Sequence, residues 1–177
     1  VFDKTGTLTK GNFKVSKVDV TGDIDELGLL AMAAEAELYS NHPIALSIKD
    51  YLKSYDKDIY TKIEAAADAS HYEEIAGHGI RVSKDNEILY AGSARLMDKF
   101  NISYEPVNAL GTVVYVARNE AYLGAIVIED EIKDDASEAI KGLSTVDVSK
   151  TVMLTGDKRD IAEHVAGILG VSEVHSQ

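Results

Sequence analysis

Hydrophobic and polar positions change their period along the chain, and the changes mark its elements. From Phe13 to Val20 apolar and polar residues nearly alternate, which predicts a half-buried strand, with Gly11 and Asn12 before it as a hinge. The spacing then widens. Ile24, Leu27, Leu30, Ala31 and Ala34 fall on one helical face that runs to about Tyr39, and Thr21 or Asp23 can cap that helix. Ser40-Asn41-His42-Pro43 interrupts it. Pro43 suits the first turn of a second helix, with Ile44, Ile48, Tyr51 and Leu52 on its buried face and Asp56 to Asp58 as its end. From Tyr72 the pattern becomes short strands: Tyr72 to Ile75, Gly79 to Ser83, a turn at Asp85-Asn86, and Glu87 to Ala91. Ser93 can cap a short helix through Phe100. Thr112 to Ala117 and Ala121 to Ile128, joined at Arg118-Asn119, predict a hairpin. An antiparallel sheet with helices packed on it follows from this order.

The two ends of the chain have a different grammar. Val1-Phe2 reads as the end of a buried strand that stops at Asp3. Beyond Asp130 come a helix from Asp134 to Leu143, an apolar strand from Thr151 to Leu154, the turn Thr155-Gly156-Asp157, a helix from about Lys158 to Leu169 and a strand near Val174. Strand-loop-helix-strand order builds parallel sheets, whose ligands sit off the carboxyl ends of the strands. Asp3 and Thr155-Gly156-Asp157 both fall at such ends. The expected fold class is therefore α/β: a parallel-sheet domain made of residues 1–12 and 129–177, interrupted by an α+β domain with an antiparallel sheet at 13–128. No internal repeat is present.

Composition narrows the partners. With 177 residues, 45% of them hydrophobic, the chain can bury a core. A net charge of -12 argues against nucleic acid or an anionic membrane surface. There is no cysteine, hence no disulfide framework or CxxC metal site. No apolar run approaches the ~18 residues of a spanning helix. Val1 and Gln177 both fall close to or within strands, so the expectation is a fragment of a longer protein.

Chemistry enters at Asp3. An ionised carboxylate at a strand end, followed by Lys4-Thr5-Gly6-Thr7, can act as a nucleophile toward a phosphoryl group. Amides around Gly6 would cradle oxygens, and Lys4 and a metal ion would offset charge. The product is an aspartyl phosphate. Asp3 to Thr9, Asp-Lys-Thr-Gly-Thr-Leu-Thr, resembles without mismatch the phosphorylation motif of P-type ATPases. In the related haloacid-dehalogenase-type phosphatases a second Asp two places after the nucleophile serves as general acid/base. Thr5 stands there, which implies a longer-lived phosphoenzyme. Thr155-Gly156-Asp157 resembles the family's second phosphate-site motif, with the Thr155 hydroxyl on the transferred group.

Within the insertion, Ser40-Asn41-His42-Pro43 resembles the His-Pro signature of the heavy-metal (type IB) branch, and Gly77-His78-Gly79 its nucleotide loop. Glu37 and Gly92 match further nucleotide-site residues. Many members carry an acidic residue where Asn41 stands. The wording around Gly11 to Val15, Tyr39 to Pro43 and Ile126 to Lys133 is closer to the zinc/cadmium/lead-exporting branch than to the copper branch. The resemblance covers nearly the whole chain and lacks the C-terminal part of a phosphorylation domain, with its second lysine and GDGxND magnesium motif.

The resemblance implies a haloacid-dehalogenase-like sheet domain interrupted by a nucleotide-binding domain. Asp3, Lys4, Thr5, Thr155, Gly156 and Asp157 would be catalytic; Glu37, His42, Gly77, Gly79 and Gly92 would hold ATP; Asp3 and the Thr5 carbonyl would contact Mg2+. It also implies, as partners, transmembrane and actuator domains of the same polypeptide, a heavy-metal ion bound elsewhere in it, and a place at the cytoplasmic face of a bacterial or archaeal plasma membrane. The alternatives are a soluble phosphatase with a cap domain and a non-catalytic nucleotide-binding module. His71, His78, His164 and His175 lack the company of a zinc site and read as surface or loop residues. The acidic residues Glu129 to Glu131, Asp134 and Asp135 read as an interdomain junction and the first turn of a helix.

Overall fold

The computed structural model describes residues 1–68, 71–84, 86–146, 148–156 and 159–176, with the backbone alone at Ser144 and Asp160. Along the chain the first elements are β1 (Phe2–Asp3), β2 (Thr9–Val20), α1 (Glu26–Ala36), α2 (Pro43–Tyr55) and α3 (Lys57–Ala65). Then come β3 (Tyr72–Ile75), β4 (Gly79–Lys84), β5 (Glu87–Gly92), α4 (Ala94–Lys99), β6 (Thr112–Arg118) and β7 (Ala121–Ile132). The last are α5 (Ala136–Leu143), β8 (Val152–Thr155), α6 (Arg159–Leu169) and β9 (Glu173–Ser176). Two compact units result: Val1–Phe13 with Asp130–Gln177, and Lys14–Glu129.

The first unit holds the parallel sheet, in strand order β1-β8-β9. Phe2 lies opposite Met153 and Asp3 opposite Leu154. Helix α5 turns Ala136 and Ile140 inward and α6 turns Ala162, Ala166 and Leu169 inward, at helical spacings, against Leu8 and Met153. That core fixes the strand ends from which Asp3 and Thr155 emerge.

The antiparallel sheet runs β2-β7-β6-β5-β4-β3. On one side Tyr90, Leu96, Met97, Ile102 and Tyr115 form a core. Helices α1, α2 and α3 pack together, and α1 also packs on β4, β5 and β6.

Several boundaries differ from those predicted. Helix α1 starts at Glu26 with Asp25 as its cap, the carboxylate accepting from the Gly28 amide at 2.8 Å. Thr21 instead donates its amide to Leu123 O at 2.8 Å, and so belongs with the sheet. Asp56 ends α2 as expected, its amide donating to Leu52 O, but the same residue also starts another helix: it caps α3, accepting from the Asp58 and Ile59 amides at 3.0 Å. Ser93 precedes α4 without a side-chain capping bond; its hydroxyl donates to His78 O at 3.0 Å. Asp85 of the predicted turn lies outside the described residues, and Asn86 adopts φ 66°.

The largest difference concerns β2 and β7. Strand β2 begins at Thr9 and passes through Gly11 and Asn12, while β7 continues to Ile132, so that the acidic residues Glu129 to Glu131, where the chain passes from one unit to the other as expected, also lie on a strand. The two strands are neighbours in the sheet, and side chains pair across them: Thr9 Oγ1 donates to Asp130 Oδ2 at 2.6 Å and Lys10 Nζ to Glu131 Oε1 at 2.8 Å.

Candidate functional sites

In the first unit, the backbone after β1 turns through Thr5 (φ -74°, ψ 123°) and Gly6 (φ 79°, ψ -15°) and returns to Thr9. Only a residue tolerant of positive φ suits the Gly6 position. The turn is held from inside. The Thr9 amide donates to Lys4 O, and the buried Thr9 hydroxyl accepts from the Gly6 amide at 3.3 Å. That hydroxyl has Asp130 Oδ2 at 2.6 Å and Lys4 O at 3.0 Å as acceptors, and the shorter, charge-assisted bond takes its proton.

Lys4 is buried too, with its ammonium 3.6 Å from Asp130 Oδ2. From the outer side, Lys133 Nζ donates to Gly6 O at 3.0 Å. The result is a fixed platform on which Asp3, Thr5, Gly6 and Thr7 are exposed. The charge of Lys4 is thereby shared with Asp130, so this lysine supports the turn as well as standing next to Asp3 in sequence.

Thr155 ends β8, one residue beyond the partner of Asp3, and is half-buried; Gly156 after it is exposed. Asp157 lies outside the described residues. Asp3 and Thr155 therefore sit at the carboxyl ends of adjacent parallel strands. No group of three or more His, Cys, Asp or Glu able to hold a metal ion exists among the described residues.

In the second unit, Glu37 caps the end of α1 and is buried. Burial pushes its carboxyl up to about 7, opposed by a hydrogen bond from the Ser40 side chain and by the Lys49 charge, and reinforced by Glu74. Ser40 Oγ accepts from the His42 amide at 3.2 Å. His42 in turn caps α2: its Nδ1 accepts from the Ile44 amide at 3.3 Å, which places the neutral ring's proton on Nε2 and leaves the exposed ring turned out of the helix start. Ser40 thus links two predicted site residues, Glu37 and His42.

The loop between β3 and β4 carries the glycines. Gly79 (φ 142°) pairs with Gly92 across β4 and β5, and a Cβ on Gly79 would stand 2.4 Å from Ala91 O and 2.5 Å from Gly92 Cα. A Cβ on Gly92 would meet His78 O at 2.4 Å. These two glycines make room for each other's backbone, and the Ser93 amide and hydroxyl fasten His78 O at 2.8 and 3.0 Å. Gly77 is different: no atom stands within 4 Å of its Cβ position, so its backbone faces open space. Gly79→Ala is therefore expected to destabilise this unit by roughly 2–4 kcal/mol, from backbone overlap and strain at positive φ. Urea unfolding would measure it; a loss below ~1 kcal/mol would show that the strands can part without cost.

Glu37 and His42 are joined through Ser40, and Gly79 and Gly92 through strand pairing. Tyr72 links the two regions: its strand β3 leads into the glycine loop, and its ring meets Tyr39 edge-on at 5.6 Å between centroids. Two cavities of about 250 and 280 Å³ flank the Glu35–Lys84 ion pair toward the other end of β4, and their linings include none of the five predicted nucleotide residues. Sequence reasoning missed Lys49, Thr9, Asp130 and Lys133 as site supports. A signal existed for Lys49, which lies among the inward residues Ile48 and Leu52.

The sequence matches the family described as "Hydrolase: haloacid dehalogenase-like hydrolase" over residues 1–176. It is 46% identical over 171 residues to the zinc-transporting ATPase of Synechocystis sp., which covers 97% of this chain and 23% of that protein. It is 41% identical over 177 residues to the cadmium, zinc and cobalt-transporting ATPase of Bacillus subtilis, covering 100% of this chain and 24% of that protein. Among solved structures, the crystal structure of a zinc-transporting PIB-type ATPase in its E2.Pi state superposes with a TM-score of 0.74 at 31% identity, over 99% of this chain and 28% of the other. The chain spans about a quarter of the length of the curated relatives it matches.

Proposed function

Since the chain belongs to the haloacid dehalogenase-like hydrolases, within the type IB heavy-metal P-type ATPases, we propose that it binds Mg-ATP and accepts the γ-phosphoryl group on Asp3 to drive metal-ion export by a longer polypeptide. The observation that carries this is the exposed Asp3 carboxylate at the end of β1, on a turn pinned by Thr9, Asp130 and Lys133, with Thr155 at the end of the adjoining strand.

In the proposed step a carboxylate oxygen of Asp3 attacks the γ-phosphorus, the bond to the β,γ-bridging oxygen breaks, and ADP leaves with the electron pair. An acyl phosphate remains. Amides of the fixed turn and the Thr155 hydroxyl steady the transferred oxygens, without reorganisation at the moment of reaction. Mg2+, when bound, neutralises phosphate charge. Asp3 and the Thr5 carbonyl suit it, being oxygen donors on an exposed segment that leave other positions to water and phosphate. Thr5 offers no carboxylate to activate water, so the acyl phosphate persists long enough to drive a conformational cycle.

The nucleotide is assigned to Glu37, His42, Gly77, Gly79 and Gly92, with the purine against the His42 ring. The relatives named for zinc and cadmium favour those ions as cargo, bound in a part of the polypeptide beyond this chain. Transmembrane and actuator regions of the same polypeptide are the proposed partners, with this region at the cytoplasmic face. No helix of the described residues is long and apolar enough to cross a membrane.

His42→Asn tests the base site. Asparagine preserves the helix cap and removes the ring, so melting should hold while ATP affinity falls by about 1 kcal/mol, near fivefold. Amide-shift titration of the 177-residue chain with ATP and GTP measures both affinity and base preference. Wild-type affinity in the variant, or an equal response to GTP in the parent, would remove the purine from His42.

A further inference from the structure

Lys49 is a buried cation of the second unit, with 6% of its surface exposed, on the helix that His42 caps. Lysine is seldom so buried, because its ammonium must replace several bonds to water. Here the replacement is specific: Nζ donates to Ser40 O at 2.7 Å and to Leu38 O at 3.2 Å. Those carbonyls belong to the turn after α1, where helical partners run out. The same turn carries Glu37 at one end and His42 at the other, bridged by the Ser40 hydroxyl.

We propose that Lys49 is a positioning residue of the nucleotide site, fixing the Glu37-to-His42 turn through two carbonyls and setting a positive charge beside Glu37. This rests on the assignment of Glu37 and His42 to the nucleotide. Lys49 touches no substrate; it acts through the turn. Facing Glu37 are Lys49 from α2 and Glu74 and Tyr72 from β3; facing Lys49, besides Glu37, are Asp50 and Lys53 of its own helix and Glu64 of α3.

The two functions of the side chain separate by substitution. Lys49→Met loses donors and charge, Lys49→Gln keeps a donor and loses the charge, and Lys49→Arg keeps both. Without the charge, the Glu37 carboxyl, already near 7, rises further, since the lowering influence of Lys49 is gone. A protonated Glu37 is a poorer hydrogen-bond acceptor toward a bound nucleotide, so ATP affinity falls as pH drops through its titration.

The test is ATP affinity of the 177-residue chain between pH 6 and 9, with the Glu37 carboxyl followed by carbon NMR. The Met variant should bind about tenfold more weakly at pH 7.5. The Gln variant should retain most of its melting temperature, and in both the pH midpoint of binding should move up by roughly one unit. Arginine should restore binding to within about twofold. A lysine that merely stabilised the fold would lower melting and leave that midpoint in place, which overturns the inference, as would wild-type affinities in the Gln and Met variants. Should the parent chain show no saturable ATP binding, the base-site assignment falls and this inference with it.

Discussion

Asp3→Asn is expected to abolish phosphoryl transfer, by at least about 1000-fold, while leaving ATP affinity nearly unchanged. The amide is isosteric with the carboxylate, so the exposed turn and its ties to Thr9, Asp130 and Lys133 should survive. What disappears is the nucleophile. Affinity should hold because the proposed base contacts lie in the unit Lys14–Glu129, whereas Asp3 belongs to the other. The measurement is transfer of labelled γ-phosphate with Mg2+, scored as acid-stable, hydroxylamine-labile label. It compares this chain, its Asp3→Asn variant, and a polypeptide extended through the expected GDGxND segment. The extended form should label faster, because positioning and charge neutralisation set the rate of phosphoryl transfer. Label persisting at wild-type rate in Asp3→Asn would displace Asp3 as acceptor, and an extended chain that never labels would refute the ATPase assignment.

Glu37→Gln is expected to stabilise the chain at pH 8 while weakening ATP binding. Glu37 holds its proton more tightly folded than unfolded, with a carboxyl raised from 4.5 to about 7 by burial. Its contribution to stability is therefore fully present below pH ~4.5 and is lost as pH rises through about 7, amounting to roughly 3 kcal/mol. Glutamine does not titrate, so it escapes that loss. It also leaves Lys49 without a counter-charge, which reduces the net gain at pH 8 to about 1–3 kcal/mol. The cleanest readout is the difference in urea-unfolding free energy between variant and parent from pH 4.5 to 8.5, since other carboxylates titrate in both. That difference should grow with pH; a flat one would mean Glu37 is not held protonated by the fold. Affinity for ATP at pH 8 should drop about tenfold, on the scale of a charge-assisted hydrogen bond. Both outcomes together would show a group that costs stability when ionised and improves binding, the trade-off met at functional groups in buried positions.

How much of this was legible beforehand follows from the range of the forces involved. The turn chemistry of Asp3 to Thr9 is local: an acidic residue at a strand end, then a glycine that takes φ 79°. Pro43 at the start of α2 and the order of the last two strands and their helix are local in the same way. Periodicity served well where a helix buries one face, as in α2, α5 and α6. It served poorly for α1, whose Leu29, Leu30, Ala33, Ala34 and Ala36 are buried between the sheet and its neighbouring helices, so that no polar face marks its ends. It also missed α3, because Asp56, a terminator by composition, is equally a cap.

By itself the sequence determined the two sheets, the strand ends that carry Asp3 and Thr155, and the segments that bear the residues proposed to hold the nucleotide. The tertiary structure alone decided which charges are buried and against what. Lys4 and Thr9 meet Asp130 across more than a hundred positions of chain, and the acidic run containing it becomes strand because β2 lies beside β7. Gly79 and Gly92 lie against each other's backbone because β4 pairs with β5 in that register. Glu37 is held near neutrality because burial outweighs the Ser40 hydrogen bond and the Lys49 charge that oppose it. Apolar spacing is a property of one element and can be read along it; the desolvation of a charge depends on every element that meets around it, and that is set only when the chain has folded.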